Sequence, residues 1–255
     1  FKDNKNVFTF SMHSKSNYPA KKSISDCDVE LKDNTEDKEF LKSLADENLK
    51  IKLFEGEVEK YGQWIKYYKY YANILNDDDV IIKCDDDILF IDNLQRLIHT
   101  TKHNEDAYIV FPNIINNEVL FEKQFDLNIM DEGEVTCTPT KLLLSHQCQY
   151  NDTPCPDWNT AWFTNGDCAN DMFKLFQSRS FKRDVILQSK PRRVSINMFG
   201  MLGKNAKPMY ASCPEDDEPY VSFIYPSKIA NSKILFDMSC VVVHFQFGPQ
   251  SSNIL

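Results

Sequence analysis

Three consecutive aspartates, Asp85, Asp86 and Asp87, stand between two short hydrophobic runs. The run at residues 80–82 predicts a buried strand, and the run at residues 88–91 leads away from the acids. Neighbouring carboxylates beside apolar chain repel one another and are costly to hold together without a compensating cation. The segment therefore favours either a solvated acidic turn or a site for a hard divalent cation, alone or on a bound diphosphate.

The rest of the chain alternates between strand and helix patterns. Strands are predicted at 7–12, 51–54, 80–82, 88–91, 108–115, 194–201 and 239–247. Helices are predicted at 36–48, 61–75 and 166–177, and another follows Asp92, which is expected to cap it. Residues 123–160 and 203–219 are expected to be loops. This order predicts one α/β domain with helices on both faces, and it places the aspartates at a strand end, where such sheets bind ligands.

Composition excludes some classes of protein. The 255-residue chain has a formal net charge of −9, which disfavours a nucleic-acid partner. No apolar run approaches the roughly 20 residues that cross a bilayer, so no membrane span is expected. The eight cysteines lack metal-binding spacing and indicate reduced thiols in a cytosol-like compartment rather than a Golgi-type lumen.

A cluster of aromatic and polar residues precedes the predicted helix at 166–177. Trp162 or Phe163 could stack on a sugar face, and Gly166 leaves room for a bound molecule to approach. Asp167 then falls in the first turn of the helix. It is either a general base or an acid that stabilises the exposed amides of the helix start.

Two further sites have alternative interpretations. His244 follows three valines and is either a hydrogen-bonded core residue or a metal ligand. Asp217 lies in an acidic loop at 213–219, which is either a solvated charge run or the source of an alternative base. Lys66 and Lys69 are either solvated helix surface or contacts for a nucleotide.

These motifs together resemble glycosyltransferases of the GT-A fold. The resemblance rests on the strand followed by Asp-x-Asp, the Gly–aromatic–Lys helix at 61–69, the Trp–Gly–Asp cluster and the late His. Segments 111–117 and 194–200 extend it over nearly the whole chain, toward small bacterial and large-DNA-virus enzymes of the chlorovirus type. It implies a Rossmann-like mixed sheet flanked by helices, with a donor-binding part at 1–117 and an acceptor part at 118–255.

The resemblance also implies a reaction. A sugar would pass from a nucleotide-sugar donor, a UDP-sugar, to a glycan hydroxyl with inversion, supported by Mn²⁺ or Mg²⁺. The implied metal ligands are Asp85, Asp87 and His244, and the implied base is Asp167 with Asp217 as the alternative. Donor contacts are expected from Thr9, Ser11, Lys66, Lys69, Asp85, Asp86 and Asn113, and acceptor contacts from Trp162, Phe163 and Gly166.

Two other functions remain open from the sequence. A nucleotidyltransferase also needs a metal and a nucleoside phosphate, although residues 7–14 lack a glycine-rich phosphate loop. A carbohydrate-binding or Ca²⁺-binding module would use tryptophans and acidic loops without affinity for nucleotides. If the chain is viral, the host cytoplasm is the expected compartment. The donor sugar and nucleotide, the acceptor, the choice between inversion and retention, and the oligomeric state are left open.

Overall fold

The computed structural model describes residues 10–14, 27–31, 65–85, 88–131, 134, 166–214 and 217–244. The chain divides into two compact units, residues 1–57 and 58–255. In the first unit, strands β1 (Phe10–Ser14) and β2 (Cys27–Leu31) pair in parallel, with Phe10 opposite Cys27. The first predicted strand is therefore present, and it extends to Ser14. The elements predicted at 36–48 and 51–54 lie outside the described residues.

The second unit is built on one mixed sheet. Its strands are β3 (Val80–Cys84), β4 (Ile88–Asp92), β5 (Ile109–Ile115), β6 (Ile186–Ser189), β7 (Met198–Leu202) and β8 (Ile234–His244). The order is β3-β7-β5-β8-β4, and β6 also pairs with β8. Among the described strands of this sheet, β5 and β8 run parallel and the other pairs are antiparallel. The protein is thus a mixed α/β protein, and its sheet takes strands from both sides of residue 117. The predicted division into donor and acceptor parts stays a prediction.

The eleven-residue strand β8 pairs with three other strands of this sheet, and every residue in it is buried. One side of β8 pairs with β5 along most of its length. The other side pairs with β6 in its first half and with β4 in its second half. A register shift opposite Pro112 and Asn113 separates the two halves. Burial on all sides explains the run of β-branched residues at 241–243, which suit a packed sheet.

Helices cover the sheet. They are α1 (Ile65–Ile74), α2 (Leu94–His103), α3 (Glu118–Asp126), α4 (Gly166–Ser178) and α5 (Gly203–Ser212), and shorter turns follow at Asp217–Pro219, Tyr220–Ile224 and Pro226–Lys228. Helix α1 packs on α5, where the rings of Tyr68 and Tyr210 stack with centroids 4.7 Å apart. None of the described helices is long and apolar enough to span a membrane.

Several local predictions were wrong. The strand predicted at 194–201 is found at Met198–Leu202. Residues 203–212 form helix α5 rather than a loop, because the turn at 77–79 supplies acceptors: Gly203 N donates to Asp79 O and Lys204 N to Asp77 O. Residues 123–126 continue helix α3, which Asn117 caps. Asp92 does not cap α2, since the N-cap is Asn93 in the left-handed conformation, with φ 66° and no side-chain capping bond.

Candidate functional site

Polar residues collect at one edge of the sheet. Strands β3, β5 and β8 end at this edge, and the antiparallel strands β7 and β4 begin there. Asp85, Asn116, Asn117, Asn197 and His244 stand at or next to these strand ends, and we call this group the polar edge. Strand ends are where α/β sheets commonly bind ligands, so the polar edge is the candidate site.

Strands β3 and β4 are separated by only three residues in sequence. Strand β3 ends at Cys84 and β4 begins at Ile88, although the two are the end members of the strand order. Four Cα–Cα steps of a trans chain reach at most about 15 Å, so these two strand ends lie within that distance. The predicted site residues Asp86 and Asp87 belong to this connection but lie outside the described residues.

Asp85 is held at the polar edge by its backbone and by an ion pair. Its N–H donates to the carbonyl of Asn197 over 2.8 Å. Its carboxylate pairs with the ammonium of Lys83, which also donates to the carbonyl of Ile196 over 2.7 Å. The side chain of Asp85 is 33% exposed, so a ligand can reach a carboxylate whose charge Lys83 partly balances.

Asn117 ties the N-terminus of α3 to the neighbouring segment. Its Oδ1 accepts from the backbone amides of Val119 and Leu120 at 3.2 and 3.3 Å, as an N-cap residue does. Its Nδ2 donates to the carbonyl of Ser195 at 3.2 Å and to Oδ1 of Asn197 at 3.1 Å. The buried Asn117 therefore fixes the position of Asn197.

His244 lies at the centre of the polar edge and is 5% exposed. Its Nε2 is 3.2 Å from Nδ2 of Asn197, and its Nδ1 is 3.2 Å from the carbonyl of Asn116. The side chain of Asn116 in turn donates to the carbonyl of His244 over 3.0 Å. The ring is therefore a buried, hydrogen-bonded group, and its role as a metal ligand stays a prediction.

The predicted donor contacts that the structure describes lie on different elements. Asn113 is fully buried; its amide donates to Phe181 O over 2.8 Å and its Oδ1 accepts from Gln124 over 2.6 Å. A nucleotide would have to open this network to reach it, which argues against that role. Lys66 and Lys69 are exposed on α1. Ser11 lies in β1 of the first unit, and Thr9 is outside the described residues.

The predicted acceptor residues lie at or before α4. Gly166 is the first residue of this helix and Asp167 the second, so both stand in its first turn. Trp162 and Phe163 are outside the described residues. Helix α4 packs against β4 through Phe176, whose ring centroid is 5.7 Å from that of Phe90.

The alternative base, Asp217, has a structural partner. The buried hydroxyl of Tyr68 donates to its carboxylate over 2.7 Å. The adjacent Glu218 accepts from Arg193 over 3.2 Å. Residues 217–219 form a helical turn held by these bonds, and not the freely solvated acidic loop that one interpretation of the sequence expected.

The residues that join the polar edge together were missed from the sequence. Asn117 and Asn197 fall within the segments that carried the resemblance, but no role was given to either. The pair Asn116–Asn117 directly after an apolar strand could have predicted the end of that strand and the start of a helix. Asparagine tolerates the left-handed conformation that Asn116 adopts (φ 65°), and it caps helices well, as Asn117 does.

Within the described part of the chain, His, Cys, Asp and Glu side chains form no group of three that could hold a metal ion. Comparison with known proteins adds no assignment: no family model, no curated protein and no solved structure matches this chain.

Proposed function

We propose that this chain is a metal-dependent glycosyltransferase of the GT-A type, which moves a sugar from a UDP-sugar to a glycan hydroxyl with inversion. The observation that supports it best is the position of Asn197. Its backbone carbonyl binds Asp85 N, and its side chain contacts His244 Nε2. A single residue thus brings the first acid of the Asp triplet and the late His to the same edge of the sheet.

The chemistry of these side chains suits Mn²⁺ or Mg²⁺. A partly exposed carboxylate at Asp85 and a neutral imidazole at His244 are ligands that Mn²⁺ accepts together, whereas Mg²⁺ would rely on the carboxylates. Asp87 would supply the further carboxylate in this proposal. The cation, when bound, would offset the charge that develops on the leaving nucleoside diphosphate.

The chain's own residues have distinct tasks in this proposal. Lys83 pairs with Asp85, its side chain is 15% exposed, and it would add positive charge beside a bound diphosphate. Asp167 deprotonates the acceptor hydroxyl, which then attacks the sugar from the face opposite the leaving group. Asp217 is the alternative base and would first have to release Tyr68.

Calorimetric titration with UDP in the presence and absence of Mn²⁺ tests this function. We expect UDP binding to require Mn²⁺. We also expect Asp85→Asn and His244→Gln each to weaken this binding at least tenfold. Asp77→Asn is the matched control, because this exposed carboxylate pairs with Lys207 away from the polar edge. UDP binding that is unaffected by Mn²⁺ and by both variants would overturn the proposal.

Product analysis separates the alternatives. A glycosyltransferase releases UDP from a UDP-sugar, slowly to water or faster with an acceptor. A nucleotidyltransferase would instead release pyrophosphate from a nucleoside triphosphate and a sugar phosphate. A binding module would retain sugar or Ca²⁺ with no affinity for UDP. Either of these two results would replace the proposed function.

A further inference from the structure

Hydrogen bonds at the polar edge run in one direction, from the first amides of α3 toward His244. A backbone N–H can only donate, so the Asn117 atom that receives Val119 N and Leu120 N is its oxygen. The nitrogen of the same amide must then face the other way, where it donates to Oδ1 of Asn197 over 3.1 Å. The orientation of the Asn117 amide therefore decides the orientation of the Asn197 amide.

The Asn197 amide in turn decides where the imidazole carries its proton. With its oxygen turned to Asn117, Asn197 directs Nδ2 at Nε2 of His244, 3.2 Å away. Because an amide nitrogen donates, Nε2 must accept with its lone pair. Nδ1 then carries the hydrogen and donates it to the carbonyl of Asn116, also 3.2 Å away. Both ring contacts are satisfied by the same neutral tautomer.

We propose that Asn117 and Asn197 are positioning residues that hold His244 in the Nδ1–H tautomer, with the lone pair of Nε2 directed at the side-chain amide of Asn197. For its chemical purpose this inference rests on the proposed function, because a cation ligand needs an unprotonated ring nitrogen, and a cation would take the place of the Asn197 N–H on the single lone pair of Nε2. Metal-binding histidines are commonly oriented in this way, by a hydrogen bond from the other ring nitrogen to a carbonyl. Asn116 supplies that carbonyl here.

Nitrogen-15 NMR of the imidazoles in the metal-free protein tests the tautomer directly, at about pH 8.5, where imidazoles are ordinarily neutral. The chain has five histidines, and the signals lost in His244→Gln identify His244. We expect an unprotonated Nε2 and a protonated Nδ1. A protonated Nε2 in the wild-type protein would overturn the inference.

Asn117→Asp tests the relay through a residue that does not contact the imidazole. The aspartate keeps the oxygen that caps α3 but loses the N–H that binds Asn197. The Asn197 amide is then expected to turn, so that its oxygen faces Nε2 and Nε2 gains a proton. An Nε2 that stays unprotonated in a folded Asn117→Asp protein would contradict the relay.

Two further variants complete the test. Asn104→Asp makes the same change of charge at an amide that donates to Thr100 O, and it should leave His244 unchanged. If Asn117→Asp does not fold, Asn197→Asp tests the protonation of His244 Nε2 while leaving Asn117 in place as the cap of α3. The carboxylate of that variant faces Nε2 and should again place a proton there, and an unprotonated Nε2 would count against the inference.

Titration with Mn²⁺ in the presence of UDP distinguishes a failure of the relay from a failure of the proposed function. Loss of residues that orient a ligand typically weakens metal binding by about 10- to 100-fold, and we expect this of Asn117→Asp. An unprotonated Nε2 without Mn²⁺-dependent UDP binding would leave the relay standing and remove the proposed function. Mn²⁺-dependent UDP binding together with a protonated Nε2 in the metal-free protein would keep the proposed function and remove the relay.

Discussion

The hydroxyl of Tyr68 donates a 2.7 Å hydrogen bond to the carboxylate of Asp217, and this bond joins helix α1 to the helical turn at 217–219. Tyr68 is 1% exposed, and its ring stacks on Tyr210, so its hydroxyl is shielded from water. Asp217 is therefore an acceptor in the packing of two elements. A catalytic role for this carboxylate would require the bond to break.

Replacing Tyr68 by Phe should lower the free energy of unfolding by about 1–2 kcal/mol. The ring stack with Tyr210 survives, but a hydrogen bond to a charged group is lost. Urea denaturation measures the change. Tyr71→Phe is the control, because Tyr71 lies on the same helix and is 37% exposed. Equal stabilities for the two variants would show that the Tyr68–Asp217 bond contributes nothing.

Asp167→Asn should slow sugar transfer by about 10²–10⁴-fold, the usual effect of losing a general base. Asparagine keeps the size of the side chain and is accepted near helix starts, so α4 should persist. Donor binding should remain near that of the wild type, because a base acts on the acceptor. Circular dichroism and initial rates measure the two effects.

Asp217→Asn serves as the comparison for this prediction. It should reduce stability through Tyr68 while leaving the turnover of the folded enzyme largely intact. If Asp217→Asn abolishes turnover and Asp167→Asn does not, the base lies in the 217–219 turn. If neither variant is slow, the product's anomeric configuration, measured by NMR, decides whether the reaction inverts.

Strands with uninterrupted apolar sequence could be predicted, whereas elements that depend on distant partners could not. Strand β5 was expected at 108–115 and is found at Ile109–Ile115. The last strand begins five residues earlier than expected, because Asp237 interrupts the apolar pattern although it is fully buried. Helix α5 begins with glycine and contains Pro208, and its start depends on acceptors in the turn at 77–79.

The candidate site divides in the same way. Asp85 and His244 could be selected as candidates because burying an acid or a histidine beside an apolar strand is costly unless it has a partner, and their roles as ligands stay predictions. Asn117 and Asn197 could not, because an asparagine's role depends on which groups surround its amide in the folded chain. The partners of Asn197 at Asp85 and His244 are distant from it in sequence and on either side of it.

Removing the charge of Asp237 should destabilise the fold by about 2–4 kcal/mol. This fully buried carboxylate accepts from the hydroxyls of Thr100 and Ser239 at 2.5 Å each and from Ser239 N at 3.1 Å. Asp237→Asn turns an N–H toward at least one of these donors. Chemical denaturation of Asp237→Asn measures the loss.

A double-mutant cycle with Thr100→Val shows whether the partners act together. We expect coupling above about 0.5 kcal/mol, because the two side chains share one bond. Thr101→Val is the control: Thr101 is also buried, but its hydroxyl donates to Leu97 O within the helix. Coupling of similar size for Thr101 would contradict a specific Thr100–Asp237 interaction.

Two glycines should respond differently to substitution by alanine. A Cβ at Gly203 would lie 1.8 Å from the backbone oxygen of Asn76, whereas one at Gly200 would lie 2.2 Å from the side-chain hydroxyl of Thr101. Backbone cannot yield as easily as a side chain, so Gly203→Ala should be the more destabilising. Thermal melting should also show that adding Thr101→Ala partly restores the stability of the Gly200→Ala variant and does not restore that of the Gly203→Ala variant. Equal rescue of both would refute this account.

Protonation of the Glu122 carboxylate should make the free energy of unfolding depend on pH. Its carboxylate is 14% exposed and binds Arg192 at 3.1 Å and Lys123 at 2.7 Å. Burial is the largest single influence and raises its pKa, but hydrogen bonds from Arg192 and then Lys123 together outweigh it and hold the pKa below the ordinary 4.5. A lowered pKa in the folded state adds stability above about pH 4.5 and loses it as the pH falls through the folded value.

Glu122→Gln removes this contribution. The difference in unfolding free energy between wild type and variant should be constant from about pH 6 to 8 and should shrink as the pH falls below about 4.5. Urea denaturation at about pH 7 and about pH 3 measures it. Asp126→Asn is the control on the same helix, because this carboxylate is 57% exposed and lies 3.4 Å from Lys123. A difference for Glu122→Gln that is as large at pH 3 as at pH 7 would show that the ion pairs with Arg192 and Lys123 do not stabilise the charged carboxylate.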